Sequence, residues 1–264
     1  MSTTSIASDL AGGIARLTLN RPDKRNALDA STIAALTAEL QRCAADPKVR
    51  VVQITGAGEV FCAGADLSEM QAQARATEAE NLVHARLLAT LLGELDSMPK
   101  PTLARVNGDG YGGALGLMAA CDIVVAADHA KFAFTEVRLG IIPAVVSPFV
   151  LAKIGERAAL RYVLTAETMT SATLKEIGLV HEVAAAPQLD SVCNRMTDAI
   201  LKGAPGALSE AKILIRDMAN APARRRSQDS LDMAARLARL RVSDEAQEGI
   251  SAFFVKRRPS WRPD

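Results

Sequence analysis

Aromatic side chains are scarce: six Phe, two Tyr and one Trp amount to 3% of 264 residues. Ala, Leu, Ile and Val must therefore build the core, and a base-stacking surface for nucleic acid is not expected. A charge of one dominant sign is missing too. Lys and Arg number 31 against 30 acidic residues, a net charge of +1, which gives no footprint for a polyanionic partner. Two local basic clusters stand out, Arg224-Arg225-Arg226 and Lys256-Arg257-Arg258. Each is either a solvated helix face or a contact for a phosphorylated ligand. Cys43, Cys62, Cys121 and Cys193 form no CxxC pair, and His84, His129 and His181 are scattered. No metal site is expected, and the cysteines read as reduced thiols of a cytoplasmic protein. Met1 to Asp9 lacks a basic stretch followed by an apolar one, so no secretory signal is read. The apolar run Gly113 to Cys121 is far short of the ~20 residues that span a bilayer, so no membrane partner is expected.

Hydrophobic residues make up 49% of the chain and charged residues 23%, enough for a sizeable core. Ala15 to Leu19 alternates as a strand ending at Pro22. Asp29 can cap a helix in which Ile33, Leu36, Leu40 and Cys43 recur at helical spacing. Val49 to Thr55 is a β-branched run of the buried-strand type. A second cycle follows: a helix over Ala79–Leu95 with Leu82, Leu88, Leu91 and Leu95 facing the core, a strand over Thr102–Val106, a short helix over Gly112–Ala120 and a strand over Ile123–Ala126. Phe132 and Phe134 lie on a further extended segment. Such alternation predicts an α/β fold with a largely parallel sheet. After about Ser147 the strand signals fade, and helical patterns run near 147–164, 171–177, 188–202, 206–218 and 222–254. The expected division is a core over 1–200 and an all-helical C-terminal region over 201–264.

Two strand-to-helix turns rich in small residues carry the chemical interest. One is Gly56-Ala57-Gly58-Glu59-Val60-Phe61-Cys62-Ala63-Gly64-Ala65-Asp66-Leu67. The other is Asn107-Gly108-Asp109-Gly110-Tyr111-Gly112-Gly113-Ala114-Leu115-Gly116. Small residues let a ligand approach the backbone, and the first amides of a helix lack internal partners at an end that favours negative charge. Side by side, the two turns could offer two N–H groups to one oxygen. Alternatively, their small residues serve helix–sheet packing. A third reading is a dinucleotide site: Gly108, Gly110 and Gly113 match GxGxxG, with Asp128 following the next strand. Against that, the helix after Gly113 is short. Glu136 sits among Phe132, Phe134, Val137, Leu139, Ile141 and Ile142. A carboxyl in apolar surroundings is a candidate proton carrier near neutral pH. The other reading is an ion pair with Arg138. Asp66 reads as a helix N-cap.

Together these stretches resemble the enoyl-CoA hydratase/isomerase (crotonase) superfamily. The matching segments are Asn20-Arg21-Pro22 with Asn26-Ala27-Leu28, Phe61 to Leu67, Asn107-Gly108 with Gly112-Gly113, Cys121-Asp122-Ile123, Glu136 with Leu139-Gly140, and Glu248-Gly249 with Phe253, Lys256 and Arg257. They run in family order from about 14 to 258. The resemblance implies a β-β-α spiral core whose helical C-terminal region builds trimers or hexamers, acting on acyl-CoA thioesters with no resident cofactor. It implies that the amides of Ala63 and Gly113 hold the thioester oxygen and that Glu136 moves the proton. Lys24, Arg25, Ala27, Ala65, Asp66, Leu67 and Gly112 would line the CoA path, and Lys256 would reach CoA phosphates, from its own or from a neighbouring subunit. Family hydratases carry a second glutamate where this chain has Gly116. A narrower resemblance runs through Gly112–Leu117, Thr135–Gly140, Pro143–Phe149 and Ile154–Arg157. It points to bacterial methylglutaconyl-CoA and isohexenylglutaconyl-CoA hydratases, which serve leucine and acyclic-terpene breakdown and in which glycine at the Gly116 position is usual. The implied reaction is hydration of a branched or carboxylated 2-enoyl-CoA, with Arg138 one candidate for orienting a substrate carboxylate. A Δ3–Δ2 enoyl-CoA isomerase and a catalytically weak CoA-binding protein are the alternatives.

Overall fold

The computed structural model describes residues 4–220 and 226–262, the side chains of 220 and 226–232 apart. Gly12 and Gly13, at φ 57° and 83°, turn β1 (Ile6–Ala11) back onto β2 (Ile14–Leu19). Glycine takes this conformation without strain, and paired positive φ suits the twist of a hairpin. β1 is exposed over most of its length, so it has no burial pattern for a sequence to display; only its pairing with β2 defines it.

The chain continues through a single 3-10 turn (Pro22–Lys24) to α1 (Ala30–Ala45), β3 (Val51–Gly56), α2 (Leu67–Gln73) and α3 (Glu78–Ser97). Then come β4 (Thr102–Val106), β5 (Gly110–Tyr111), α4 (Gly113–Ala120), β6 (Ile123–Ala127), β7 (Lys131–Ala133) and a 3-10 turn over Glu136–Leu139. They are followed by α5 (Ser147–Thr165), β8 (Met169–Thr170), α6 (Ser171–Glu176), β9 (Glu182–Ala184) and α7 (Leu189–Leu201). Helices α8 (Pro205–Asn220), α9 (Arg226–Arg241) and α10 (Asp244–Phe254) close the described chain. A six-stranded sheet has the order β1-β2-β3-β4-β6-β9, parallel except for the β1–β2 pair. A small second sheet has the order β5-β7-β8.

Most of the predicted elements are present, and three differ. β8 and β9 lie in the stretch that reads as purely helical. At three residues or fewer they are too short to show alternation, and β9 exists because β6 offers it an open edge. Leu82, a predicted core position, is 48% exposed; only the second half of α3 is buried, through Leu91, Leu92 and Leu95. The pattern over 222–254 is broken in two, because Ser243 accepts from Ala246 N–H and caps a new helix, α10. Arg224 and Arg225 lie outside the described residues.

The core is aliphatic as the composition demands: Leu17, Leu36, Leu40, Ile54, Leu91, Leu95 and Leu103 are fully buried beside three rings, Phe61, Phe132 and Phe134. The four cysteines are buried and unpaired. No described helix is long and apolar enough to cross a membrane. The C-terminal segment is tied back to the core. Glu248 grips Arg257 through two 2.6 Å contacts, and Arg50 donates to the Trp261 carbonyl at 2.7 Å. Gly249 is small because Trp261 lies against it: a Cβ there would fall 2.8 Å from the indole.

Candidate active site

Three segments are laced together at the top of β3 and β4. Asn107 accepts from Gly56 N–H at 3.1 Å and donates to the Gly58 carbonyl at 2.8 Å. Phe61 N–H donates to Asp109 O (3.1 Å), and Tyr111 N–H to Cys62 O (3.1 Å). The third segment enters through Asn26, which is 1% exposed and sits at φ 56°, in the left-handed region. Its amide donates to the carbonyls of Ala57 (2.9 Å) and Val60 (2.7 Å) and accepts from Arg21 N–H (3.0 Å). Two glycines of the GxGxxG match, Gly108 and Gly110, are absorbed by this packing. A Cβ on Gly108 would lie 1.8 Å from the Glu59 carbonyl oxygen, and one on Gly110 would lie 3.1 Å from the Phe132 ring. Their smallness lets two turns interlock.

Asp66 caps α2, accepting from Ser68 N–H at 2.9 Å, and pairs with Arg21 at 3.0 Å. These donors, the Ser68 hydroxyl foremost, hold its carboxyl down at about 2. Arg21 also pairs with Asp29 at 2.9 Å and donates to the Ala27 carbonyl at 2.7 Å. One guanidinium thus ties the start of α1, the start of α2 and the loop between residues 21 and 28. In the sequence Arg21 and Asn26 appear only as matched residues; their role depends on partners up to 45 positions away.

The expected donor Ala63 is corrected. Its N–H is already spent on the Arg25 carbonyl at 2.9 Å. Two residues on, Leu28 and Ala65 form a parallel bridge in which Leu28 N–H donates to Gly64 O (2.7 Å) and Asp66 N–H to Leu28 O (3.1 Å). Successive amides of an extended chain alternate in direction, so Ala65 N–H points away from Leu28. Among the described residues it has no protein acceptor, and neither does Gly113 N–H at the start of α4. The two turns touch directly here: a Cβ on Gly64 would lie 2.6 Å from Tyr111 O and 3.8 Å from Gly113 N.

Ala65, Gly113 and Glu136 line one cavity of ≈380 Å³, walled also by Leu28, Leu88 and Val146. Glu136 opens a 3-10 turn that Gly140 ends at φ 75°. A Cβ on Gly112 would lie 3.0 Å from Glu136 Oε1, so the carboxyl rests against the backbone of the second turn. Its Oε2 is buried without a hydrogen-bond partner, and burial pushes the carboxyl above its ordinary value. Among the described residues Arg138 makes no ion pair with it, and Arg138 lines no part of this cavity, which removes the structural support for Arg138 orienting a substrate there. Gly116 is shut off as well: a Cβ would lie 2.5 Å from Val146 Cγ1 and 3.1 Å from Leu92 Cδ1. Val146 occupies the space that a carboxylate at 116 would need.

Of the expected CoA-path residues, Lys24, Arg25 and Leu67 are exposed around the same turns, and Ala27 is buried with its carbonyl taken by Arg21. Lys256 is exposed after α10 and lines no part of the cavity. A larger hollow of ≈980 Å³ pairs Arg25 with the carboxylates of Asp23, Glu59 and Asp109. The chemistry belongs to the smaller one, because the residues with the free amides line it together with Glu136, whose Oε2 is unpaired. Two N–H donors beside a raised carboxyl can stabilise charge on an oxygen and carry a proton next to it.

The fold and this site define a protein of the crotonase type. The enoyl-CoA hydratase/isomerase family model matches residues 9–264, and the chain belongs to that family. It is 33% identical to the 2,3-dehydroadipyl-CoA hydratase of Escherichia coli, with 93% of this chain and 94% of the relative covered. It is 35% identical to the mevalonyl-coenzyme A hydratase of Aspergillus fumigatus, with 94% and 90% covered. The crystal structure of an enoyl-CoA hydratase from Shewanella pealeana superimposes with a TM-score of 0.92 at 37% identity, covering 97% of this chain and 96% of that one.

Proposed function

We propose that the protein hydrates a 2-enoyl-CoA, with the Ala65 and Gly113 amides as the oxyanion hole and Glu136 as the proton carrier. The observation that carries this is that two residues with acceptor-free amides and a glutamate whose Oε2 is buried and unpaired line a single cavity. The thioester oxygen accepts both N–H groups, which draws electrons from the 2,3 double bond. The Glu136 carboxylate takes a proton from water as the water oxygen bonds to C3. Negative charge grows on the thioester oxygen, where the two amides stabilise it. Glu136 then returns the proton to C2. Water is added whole and no redox partner is needed.

The acyl group of this reading is branched or carboxylated, in line with the glutaconyl-CoA hydratases that the motifs resemble and with relatives named for dehydroadipyl and mevalonyl thioesters. One observation favours a second reading. With Val146 filling the place beside Gly116, and the cavity's other carboxyl, Glu69, held by Ala30 N–H at 2.8 Å, Glu136 is left to carry the proton alone, and one carboxyl is all that a Δ3–Δ2 isomerase requires. Separate incubations with a 2-enoyl-CoA and a 3-enoyl-CoA distinguish hydrate from conjugated product. In Glu136→Gln the rate is expected to fall by ~10²–10⁴. Unchanged turnover would remove Glu136 from both reactions. The exposed apolar residues Ile213, Ile215, Phe253, Phe254 and Val255 support trimer assembly through the C-terminal helices. A single-chain mass in sedimentation would end that part of the proposal.

A further inference from the structure

α3 lays a graded stripe along the cavity. Leu92 meets the Gly116 position and Leu88 the Gly113 position, at 3.1 Å and 3.9 Å from a Cβ built there. His84 and Asn81 continue that face, four and seven residues before Leu88, and both line the cavity. With a rise of ~1.5 Å per residue, His84 stands about 6 Å further along the axis than Leu88, and Asn81 about 10 Å. The wall is therefore hydrocarbon beside the two amides and polar one helical turn beyond.

The polar groups at that far end are not equally available. Glu69 is held by Ala30 N–H at 2.8 Å, and Asn81 donates to the Gln73 carbonyl at 3.0 Å. Gln73 Nε2 lies 3.3 Å from His84 Nδ1. With the Gln73 amide nitrogen donating, Nδ1 accepts and the imidazole hydrogen sits on Nε2. Gln73 thus fixes both the ring and its tautomer. No described residue accepts from Nε2, which leaves one oriented donor. No described Lys or Arg lines the cavity, so the far end offers a hydrogen bond without a positive counter-charge.

We infer that His84, positioned by Gln73, selects 2-enoyl-CoA substrates whose acyl chain carries an oxygen acceptor about one helical turn beyond the reacting carbons. The inference rests on the acyl-CoA reading above and adds a substrate class to it. His84 is half-exposed, so water can replace the acceptor when the chain lacks one. Selection is accordingly modest, about 10-fold, the scale of a single net hydrogen bond.

The experiment compares kcat/KM for trans-2-hexenoyl-CoA, its 6-hydroxy derivative and its terminal-carboxylate analogue. The wild-type protein should favour at least one oxygenated chain over hexenoyl by about 10-fold. That ratio should fall to about 1 in His84→Phe, which keeps a flat ring and deletes both nitrogens, and should drop several-fold in Gln73→Leu, which frees the imidazole. A wild-type ratio near 1, or a ratio that survives His84→Phe, overturns the inference. If no thioester is turned over, the hydratase reading falls by itself. Calorimetric affinities for hexanoyl-CoA and 6-hydroxyhexanoyl-CoA then decide the present inference by the same ratio and the same variants.

Discussion

Replacing Gly116 with alanine tests whether the second-carboxylate position is physically closed. A Cβ at 116 falls 2.5 Å from Val146 Cγ1, 3.0 Å from Val146 Cβ and 3.1 Å from Leu92 Cδ1. Carbon atoms pack at ~3.5–4.0 Å, so the worst overlap is ~1 Å. Leu92 is 0% exposed and Val146 3%, so neither can swing into solvent. Over-packing of this kind costs ~1–3 kcal/mol. Alanine is better than glycine in a helix interior by ~1 kcal/mol, which leaves a net loss of about 1 kcal/mol and a Tm lower by about 2–4 °C. Val146→Ala alone deletes two buried methyl groups and costs ~1.6 kcal/mol at ~0.8 kcal/mol each. In the double variant the new methyl enters the space left by Val146. The 2.5 Å overlap with Cγ1 is removed while the contacts of 3.0 Å to the residue-146 Cβ and 3.1 Å to Leu92 Cδ1 stay, so about half of the clash is relieved, the helix gain offsets the rest, and the double should be about as stable as Val146→Ala alone. Urea melts of the four proteins should give a coupling of about 1 kcal/mol in the stabilising direction. Costs that add within ~0.5 kcal/mol would refute the contact, and with it the claim that Val146 excludes a glutamate side chain.

Glu136→Gln should raise Tm at neutral pH. Burial lifts the folded-state value of this carboxyl above its ordinary 4.5, so the ionised form costs stability at pH 7 and the cost disappears as pH falls below 4.5. Melting curves from pH 7 to 4 should therefore converge for the variant and the parent; a gap that widens towards acid contradicts the burial argument. Asp66 works in the opposite sense. Its value is lowered from 3.8 to about 2, so its contribution is complete above 3.8 and lost as pH falls through about 2. Asp66→Ala should cost about 1–2 kcal/mol in a neutral urea melt, the weight of a helix cap; no cost would show the Arg21 tie to be idle. Lys212, with its side chain 9% exposed, holds Asp122 at 2.6 Å and joins α8 to the sheet. Asp122 in turn accepts from Thr102 N–H at 2.8 Å. Lys212→Ala should cost ~1.5–3 kcal/mol, because Asp122 loses a charged hydrogen bond and keeps only Arg216, at 3.5 Å, as a described counter-charge, and denaturation that matches the parent would count against that view.

Local patterns in the chain settle a large share of this structure. The helical stripe Ile33, Leu36, Leu40 and Cys43 behind the Asp29 cap, the β-branched run of β3 and the apolar α4 each follow from short-range periodicity and capping. The two small-residue turns and the isolated Glu136 are visible for the same reason, since residue type and immediate neighbours define them. What tertiary structure alone decides is direction and partnership. Ala63 and Ala65 are equivalent as letters, yet one amide is consumed by Arg25 and the other is free, because Leu28 pairs with Ala65 in a bridge 37 positions away in sequence. Gly116 is closed because Val146, thirty residues on, leans across it. His84 is one of three scattered histidines until α3 turns it towards the cavity of Glu136 and Gln73 holds its ring. Backbone hydrogen-bond direction and side-chain neighbours are set by pairings distant in sequence, and periodicity, a local quantity, carries no record of them.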